Sequence, residues 1–524
     1  MTDQTMPLRV RPTYGKSDAV LAAFMLVIGF LFWEWGVFGG DGSGAGTFLF
    51  FIIAVLSSIL YLTHKGLRQN AHSLTALAVV LLGALPFILY DSIAINIFLL
   101  FFEFVACLFW IAYSCGTTVS KKLSGFVISD WFNQNFIVSF GNFGGLFGNV
   151  LSALRDRKRG KAVLAGVLGV IIAIPVIAGI LALLISADNS FADFTKSITD
   201  TINLARIGNY IFEFVLGIPV ACYIFGAVYG NAHRKHTAHI TTENTARLLG
   251  RAHALPPASV YTPILLLEII YMIFFIVMSG YLFSAFGGDL PDSYSYAEYA
   301  RKGFFELCGV SAINLAVLAF AYLFAKRGAG EYPKTLRILT AILSVMTALL
   351  IATAMSKMLL YIGAYGLSQL RVYTFWFMVV LMLVFITLII WHIRPFNAGR
   401  PIVTVAVVLF LALFLANTDG IIAKYNVEQY EHGVLPTVDT QMLAQLSDAA
   451  LPYLYELKEN EEVDPTVRAD AETAIKDHAD YNRGMFSDET DRFYSWNLQS
   501  YIYSGKMFAS SCLSTAERLT TPTT

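Results

Sequence analysis

Apolar positions along the chain gather into eleven runs of roughly 16 to 25 residues between Asp18 and about Ala416, and then the pattern stops. A hydrocarbon core about 30 Å thick takes about 20 helical residues to cross. The runs therefore predict spans near 18–38, 47–63, 74–90, 93–114, 162–186, 208–229, 260–284, 303–325, 337–357, 373–393 and 401–416. The stretch 337–370 reads either as one long helix or as one bent or broken at Gly363 and Gly366. Beyond residue 416 the pattern changes to short amphipathic helices. Asp439 and Ser447 are suited to N-caps, and Asp464-Pro465 reads as a cap followed by proline at the first helical position. Leu443, Leu446, Ala450, Leu454 and Leu457 form an apolar stripe. The expected fold is all-α: a cytoplasmic N-terminus (1–17), a polytopic helical membrane bundle of about 11 spans (18–416), a small C-terminal helical extramembrane domain (417–513) and a disordered end (514–524).

Two longer segments interrupt the hairpins. In the first, about 124–152, Phe136, Phe140, Phe143 and Phe147 are spaced 4, 3 and 4 and share a helical face. The basic run Arg155-Arg157-Lys158-Arg159-Lys161 follows. An aromatic face beside a basic run suits an interfacial helix on anionic lipid; an elbow packed under the bundle or a re-entrant loop fits the interspersed glycines as well. In the second, about 230–259, His233, His236 and His239 recur every three residues. No thiolate accompanies them, and a solvated basic loop is expected rather than a metal site.

Charge orients the bundle. Lysine and arginine stay on the cytoplasmic side. With the N-terminus inside, the inner segments hold 22 basic residues and the outer ones 6, and eleven spans put the C-terminal part outside. Residues 1–416 carry 28 Lys+Arg against 19 Asp+Glu (+9), whereas 417–524 carry 8 against 18 (−10). The C-terminal part is thus an anionic body unsuited to nucleic acid. Overall 56% of residues are hydrophobic and 14% charged, against about 25% charged in ordinary soluble domains. The five cysteines show no CxxC or Cys/His ligand spacing, and no cofactor is expected. The first apolar run has the length of a true span and no convincing cleavage site.

Ionisable groups at membrane depth are costly and therefore informative. Glu103 lies mid-span on a face with Asn96 and Cys107, Glu268 lies well inside the seventh span, and Glu213 and Glu306 occupy outer thirds. Such acids either hydrogen-bond within the bundle or, if neutral, serve a proton-coupled cavity.

The segments Tyr296–Leu307, Lys357–Arg371, Asn417–Asn426 and Phe493–Asn497 are too particular for plain spans. Tyr299, Arg301, Glu306, Lys357, Tyr361, Tyr365 and Arg371 fall on the predicted outer side and are candidates for a polar cavity capped by Trp496 and Asn497; an aromatic belt with interfacial cations explains them equally. The patterns Tyr-Ala-Arg-x-Gly-Phe and Tyr-Gly-Leu-x-x-x-Arg resemble a family of bacterial multi-pass membrane proteins catalogued as domain of unknown function 4153/4173, over roughly 200–500. The resemblance implies an arginine where this chain has Lys357 and a threonine where it has Ser368. It implies a membrane fold in the bacterial inner or plasma membrane, and no activity.

Three functions compete. A transporter-like protein with a cavity open to the outer side is favoured by the acids and the outer motifs, although no inverted repeat is visible. A membrane-anchored sensor or envelope scaffold would use the acidic C-terminal part. An enzyme on lipid-linked substrate has least behind it, because no HExxH, GxSxG or paired-aspartate motif occurs.

Overall fold

Long apolar runs fold as helices here because helices satisfy every backbone polar group internally, which a bilayer demands. The computed structural model describes residues 15–37, 44–120, 123–155, 180, 204–277, 304–327, 332–485 and 494–503. The expected span 162–186, most of the basic run after Arg155, and Tyr299 and Arg301 lie outside the described residues. The helices are α1 (Lys16–Glu34), α2 (Ala45–His64), α3 (Ala71–Leu89), α4 (Ile93–Cys115), α5 (Val127–Phe132), α6 (Gly145–Arg155), α7 (Leu204–Ala232), α8 (Thr242–Ala252), α9 (Pro257–Val277), α10 (Phe304–Phe324), α11 (Lys334–Tyr365), α12 (Gln369–Ile393), α13 (Gly399–Leu415), α14 (Thr418–Glu431), α15 (Thr440–Ala444), α16 (Leu451–Glu459) and α17 (Pro465–Met485). Among the described residues, nine helices are long and apolar enough to cross a membrane. The pair α13 and α14, bent by 64°, makes a tenth if it is one span.

The distribution of side chains is that of a membrane protein. On α9, Glu268 and Tyr271 are buried, whereas Leu266, Ile269, Ile270 and Ile273 are each more than half exposed. In water that arrangement would be inside out; against lipid it places each group with its like. The chain is a multi-pass membrane protein.

It divides into two compact units. The first comprises residues 1–81, 103–118 and 131–238. Its backbone is the crossing of α1 and α7, where Gly29 and Gly217 meet: a Cβ on Gly29 would stand 2.2 Å from the Gly217 carbonyl oxygen. Small residues at such a crossing let backbones touch. The aromatic segment is helical from Val127 to Gly141 through a π stretch at Asn133–Val138, and it breaks at Asn142 before α6. That stretch is locked by buried amides: Asn231 Nδ2 donates to Gln134 Oε1 (2.8 Å) and Gln134 Nε2 to the Thr117 carbonyl (3.2 Å). Phe136, Phe140 and Phe147 remain about half exposed, and Phe140 stacks on both Phe136 and Phe143.

The second unit comprises 82–102, 119–130 and 239–524. One core joins α9, α10, α11 and α12 through Ile264, Phe304, Leu318, Leu343, Ile351, Met378 and Phe385. A second core joins α14–α17 through Ile422, Val427, Leu446, Leu457 and Ile475, and it contains the whole stripe from Leu443 to Leu457. Asp439 caps α15 by accepting from the Met442 amide (2.8 Å), whereas Ser447 makes no side-chain cap. The long stretch after Lys334 is one unbroken helix through Gly363 that stops at Gly366.

Candidate functional site

α11 ends where it does because Gly366 adopts φ +73°, a left-handed conformation that favours glycine. Arg371 closes this end. Its Nη1 donates to the Tyr365 carbonyl (2.8 Å) and the Gly366 carbonyl (2.5 Å), and its guanidinium lies 4.3 Å from the Tyr361 ring centroid. The turn is then gripped by α14. Asn426 Oδ1 accepts from the Leu367 amide (2.7 Å) while its Nδ2 donates to the Leu367 carbonyl (2.8 Å). A Cβ at position 366 would meet Asn426 Oδ1 at 2.2 Å. In the first turn of α14, the buried Asp419 accepts from Gln369 Nε2 (2.8 Å) and from the Ser447 amide (3.3 Å). Two of the particular sequence segments, Lys357–Arg371 and Asn417–Asn426, thus lie side by side.

Next to them sits a second carboxylate cluster. Asp91, in the short loop between α3 and α4, accepts from the Asp448 amide (3.1 Å) and lies 2.5 Å from Gln499 Nε2. Gln499 also bonds Ser447 Oγ (2.9 Å). Asp448 Oδ1 is 2.6 Å from His478 Nε2, and His478 Nδ1 is 3.0 Å from the Ala444 carbonyl, to which it donates. A small cleft lined by Tyr90, Ser92, Asn417, Asp419 and Ser447 adjoins the cluster.

Burial pushes the Asp91 carboxyl up to about 7, and the charge of Asp448 adds to this, against the opposing effect of the Asp448 amide. For His478, burial alone would lower the pKa, but the hydrogen bond and charge of Asp448 outweigh it and raise the imidazole above its ordinary value. The Asp91–Gln499 separation fits this. A length of 2.5 Å is ordinary for O–H···O and short for N–H···O. The buried Gln499 Oε1 has no hydrogen-bond partner. A protonated Asp91 donating to the Gln499 oxygen accounts for the length.

The candidates read from the sequence distribute as follows. Tyr361, Tyr365 and Arg371 come together at the α11 end, with Tyr361 and Tyr365 rings 5.2 Å apart. Lys357 is buried and feels the charge of Glu306, which is exposed on the first turn of α10. Of the intramembrane acids, Glu103 is fully buried with neither oxygen hydrogen-bonded, Glu213 Oε2 lacks a partner, and so does Glu268 Oε1. Of the two readings open for these acids, hydrogen bonding within the bundle is not met for Glu103 among the described residues. Two of the three histidines take separate tasks: His233 contacts Asp18 (3.2 Å) and His236 contacts Asn142 (3.3 Å). Arg234 and His236 both have positive φ, so the segment is a tight turn rather than a helical face. Among the described residues no group of three or more His, Cys, Asp or Glu side chains could hold a metal ion.

The sequence offered little sign of Asp91, Asp448, His478 or Gln499. Asp91 and Gln499 are 408 positions apart, and each alone is an ordinary loop or helix residue.

The profile of a family described as "Domain of unknown function (DUF4153)" matches residues 76–457. No curated protein and no solved structure matches.

Proposed function

This chain belongs to that family, and from this premise we propose that it is a membrane-embedded sensor whose outer helical domain responds to protons. In this reading eleven spans cross the bacterial cell membrane with the N-terminus inside. Residues 417–513 form an extracytoplasmic domain held on the mouth of the bundle. The observation that carries the reading is the convergence of Asp91 with Asp448, His478 and Gln499. Like charges brought together under burial favour one shared proton, so the junction tightens when protonated and loosens when it ionises.

Topology supports it. The loops that charge bias assigns to the outside, around Asp91, Gly366 and Asn417, are the ones that meet α14–α17. Asp18, Lys65 and His233, assigned to the inside, meet one another. A carrier with an outward cavity is the second reading, favoured by the buried Lys357 under the influence of Glu306.

External thiol labelling tests the sensor. Cysteine at Trp496, beside Asn497 and the buried Gln499, should react from outside intact cells more slowly at about pH 5 than at about pH 8. The rate is normalised to cysteine at Asp464, which is fully exposed. A normalised rate that does not change with pH, or labelling only after permeabilisation, overturns the reading.

A further inference from the structure

The bundle α9–α12 carries a column of polar side chains that neither the outer junction nor the family assigns to any task. Near one end, Tyr322 Oη, Thr340 Oγ1 and His392 Nε2 form a triangle with sides of 2.7, 2.9 and 2.8 Å. His392 Nδ1 donates to the Leu388 carbonyl (2.5 Å), which leaves Nε2 as the atom that takes a proton. Two turns along α11, Asn314 Nδ2 donates to Thr347 Oγ1 (2.9 Å) and Tyr271 Oη donates to Asn314 Oδ1 (2.7 Å). Ser344 lies between these levels, fully buried, with its hydroxyl on the Thr340 carbonyl (2.6 Å).

Glu268 falls into the same interval by register. α9 starts where α10 ends, because the Leu255 amide donates to the Phe324 carbonyl and the Lys326 amide to Leu255. The two helices therefore run antiparallel. Glu268 precedes Tyr271 by three residues, about 4.5 Å of helix, and so is displaced from the Asn314 level toward the Tyr322 level. It is 8% exposed and its Oε1 has no hydrogen-bond partner. The other charged or titratable groups on the helices packed against α9 are Glu306, Cys308 and Tyr322 on α10 and Lys334, Arg337, Lys357, Tyr361 and Tyr365 on α11; none bonds that oxygen. On the other side of Thr347 the same face of α11 turns apolar at Ile351 and Ala354, with Leu350 beside them, all at most 1% exposed. From Thr347 to the next buried cation, Lys357, is about 15 Å of helix. On that side the buried Ser311 and Thr353 bond the Leu307 and Leu349 carbonyls of their own helices, whereas the side-chain triangle lies toward His392.

We propose that Glu268 is a reversible proton-binding site within the membrane, supplied from the His392 end of the bundle. A proton entering from water is taken up on His392 Nε2. It passes through the Tyr322 and Thr340 hydroxyls, each releasing one proton as it accepts another. Water completes the relay past Ser344 and delivers the proton to Glu268 Oε1, where an O–H bond forms and the carboxylate becomes a carboxylic acid. The ligand class is the proton, and no covalent or redox partner is needed. A buried acceptor without a donor costs free energy, and an ionisable residue kept at such depth is a functional group by default. Glu103 lies in the other unit, where the Cys107 thiol feels its charge. The inference stands independently of the sensor reading, which concerns only the outer junction.

Infrared difference spectroscopy of the full-length protein in lipid nanodiscs tests it. Wild type should show a carboxylic C=O band that titrates and shifts on transfer to D2O. Glu268→Gln should remove it, whereas Glu103→Gln should leave it. His392→Phe should slow its hydrogen–deuterium exchange at least about tenfold, and Glu306→Gln, at the other end, should not. Should Glu268→Gln fail to fold, Glu268→Asp must shift the band instead. A band that neither titrates nor exchanges overturns the site, and equal exchange in the His392 and Glu306 variants overturns the route.

Discussion

Replacing Asp91 by asparagine isolates the proton at the outer junction. A carboxyl moved from its ordinary 3.8 to about 7 is shifted by roughly three units, each about 1.4 kcal/mol. The sign follows from the direction. A raised folded-state pKa means that the docked form is favoured while Asp91 is protonated, so stability is full below about pH 4 and is lost as pH rises through about 7. His478, also raised, contributes in the same direction: its stabilisation is present below its ordinary 6.5 and fades as pH passes its elevated value. The ceiling for Asp91 alone is therefore about 4 kcal/mol between about pH 4 and pH 8, or nearly a thousandfold in the opening equilibrium. The asparagine side chain would keep an acceptor for the Asp448 amide and offer an N–H to the Gln499 oxygen, mimicking the protonated acid at every pH. Hydrogen–deuterium exchange of α16 and α17 in the intact protein reads the opening. Wild type should lose protection steeply from about pH 5 to pH 8 after correction for intrinsic exchange; Asp91→Asn should hold it. Equal protection in wild type at both pH values, or a variant less protected than wild type at pH 8, would refute the reasoning.

Three other substitutions probe separate parts. Gly366→Ala forces an L-residue into φ +73° and drives a methyl group onto Asn426, which should cost about 2–3 kcal/mol; an unchanged melting temperature in detergent would show that the turn relaxes. Glu103→Leu should match or exceed wild-type stability, because it removes a buried carboxyl with no partner, and a clear loss on thermal unfolding would reveal a hidden donor. Asp18→Ala leaves Lys65 and His233 without their shared acceptor and should destabilise by about 3 kcal/mol, with Asp18→Asn losing less, as read from chemical denaturation.

Periodic and compositional features were legible: the spans, the stripe from Leu443 to Leu457, and the cap at Asp439 all follow from spacing and residue chemistry that act over a few residues. The family, too, was legible from Tyr365–Arg371 and its companions. What spacing cannot encode is a partnership between distant segments. Asp91 meets Asp448 and Gln499 only because residues more than 350 positions away fold back onto the loop after α3, and nothing in a three-residue loop announces that. Local pattern also fell short where packing overrode it. The phenylalanine spacing of 4, 3 and 4 gave a shared face, and Phe136, Phe140 and Phe143 do stack, but it gave no sign of the π stretch at Asn133–Val138 or of the break at Asn142. Glu103 and Asn96 share a helical face without Glu103 gaining a hydrogen bond.

The Asp18 cluster has a consequence for biogenesis. Asp18 enters the translocon with the first helix, yet its histidine partner is 215 residues further along the chain. At about 5–20 residues per second, His233 is translated roughly 10–40 s later. During that interval the carboxylate has only Lys65 to neutralise it, with Tyr61 and the Gly15 amide as donors, and α1 also lacks the glycine-lined surface of α7. A nascent α1 must wait at the water interface or in the care of an insertase until α7 arrives. Ribosome stalling before residue 233 would then trap an immature, protease-sensitive first helix, and release of the stall would mature it in one step.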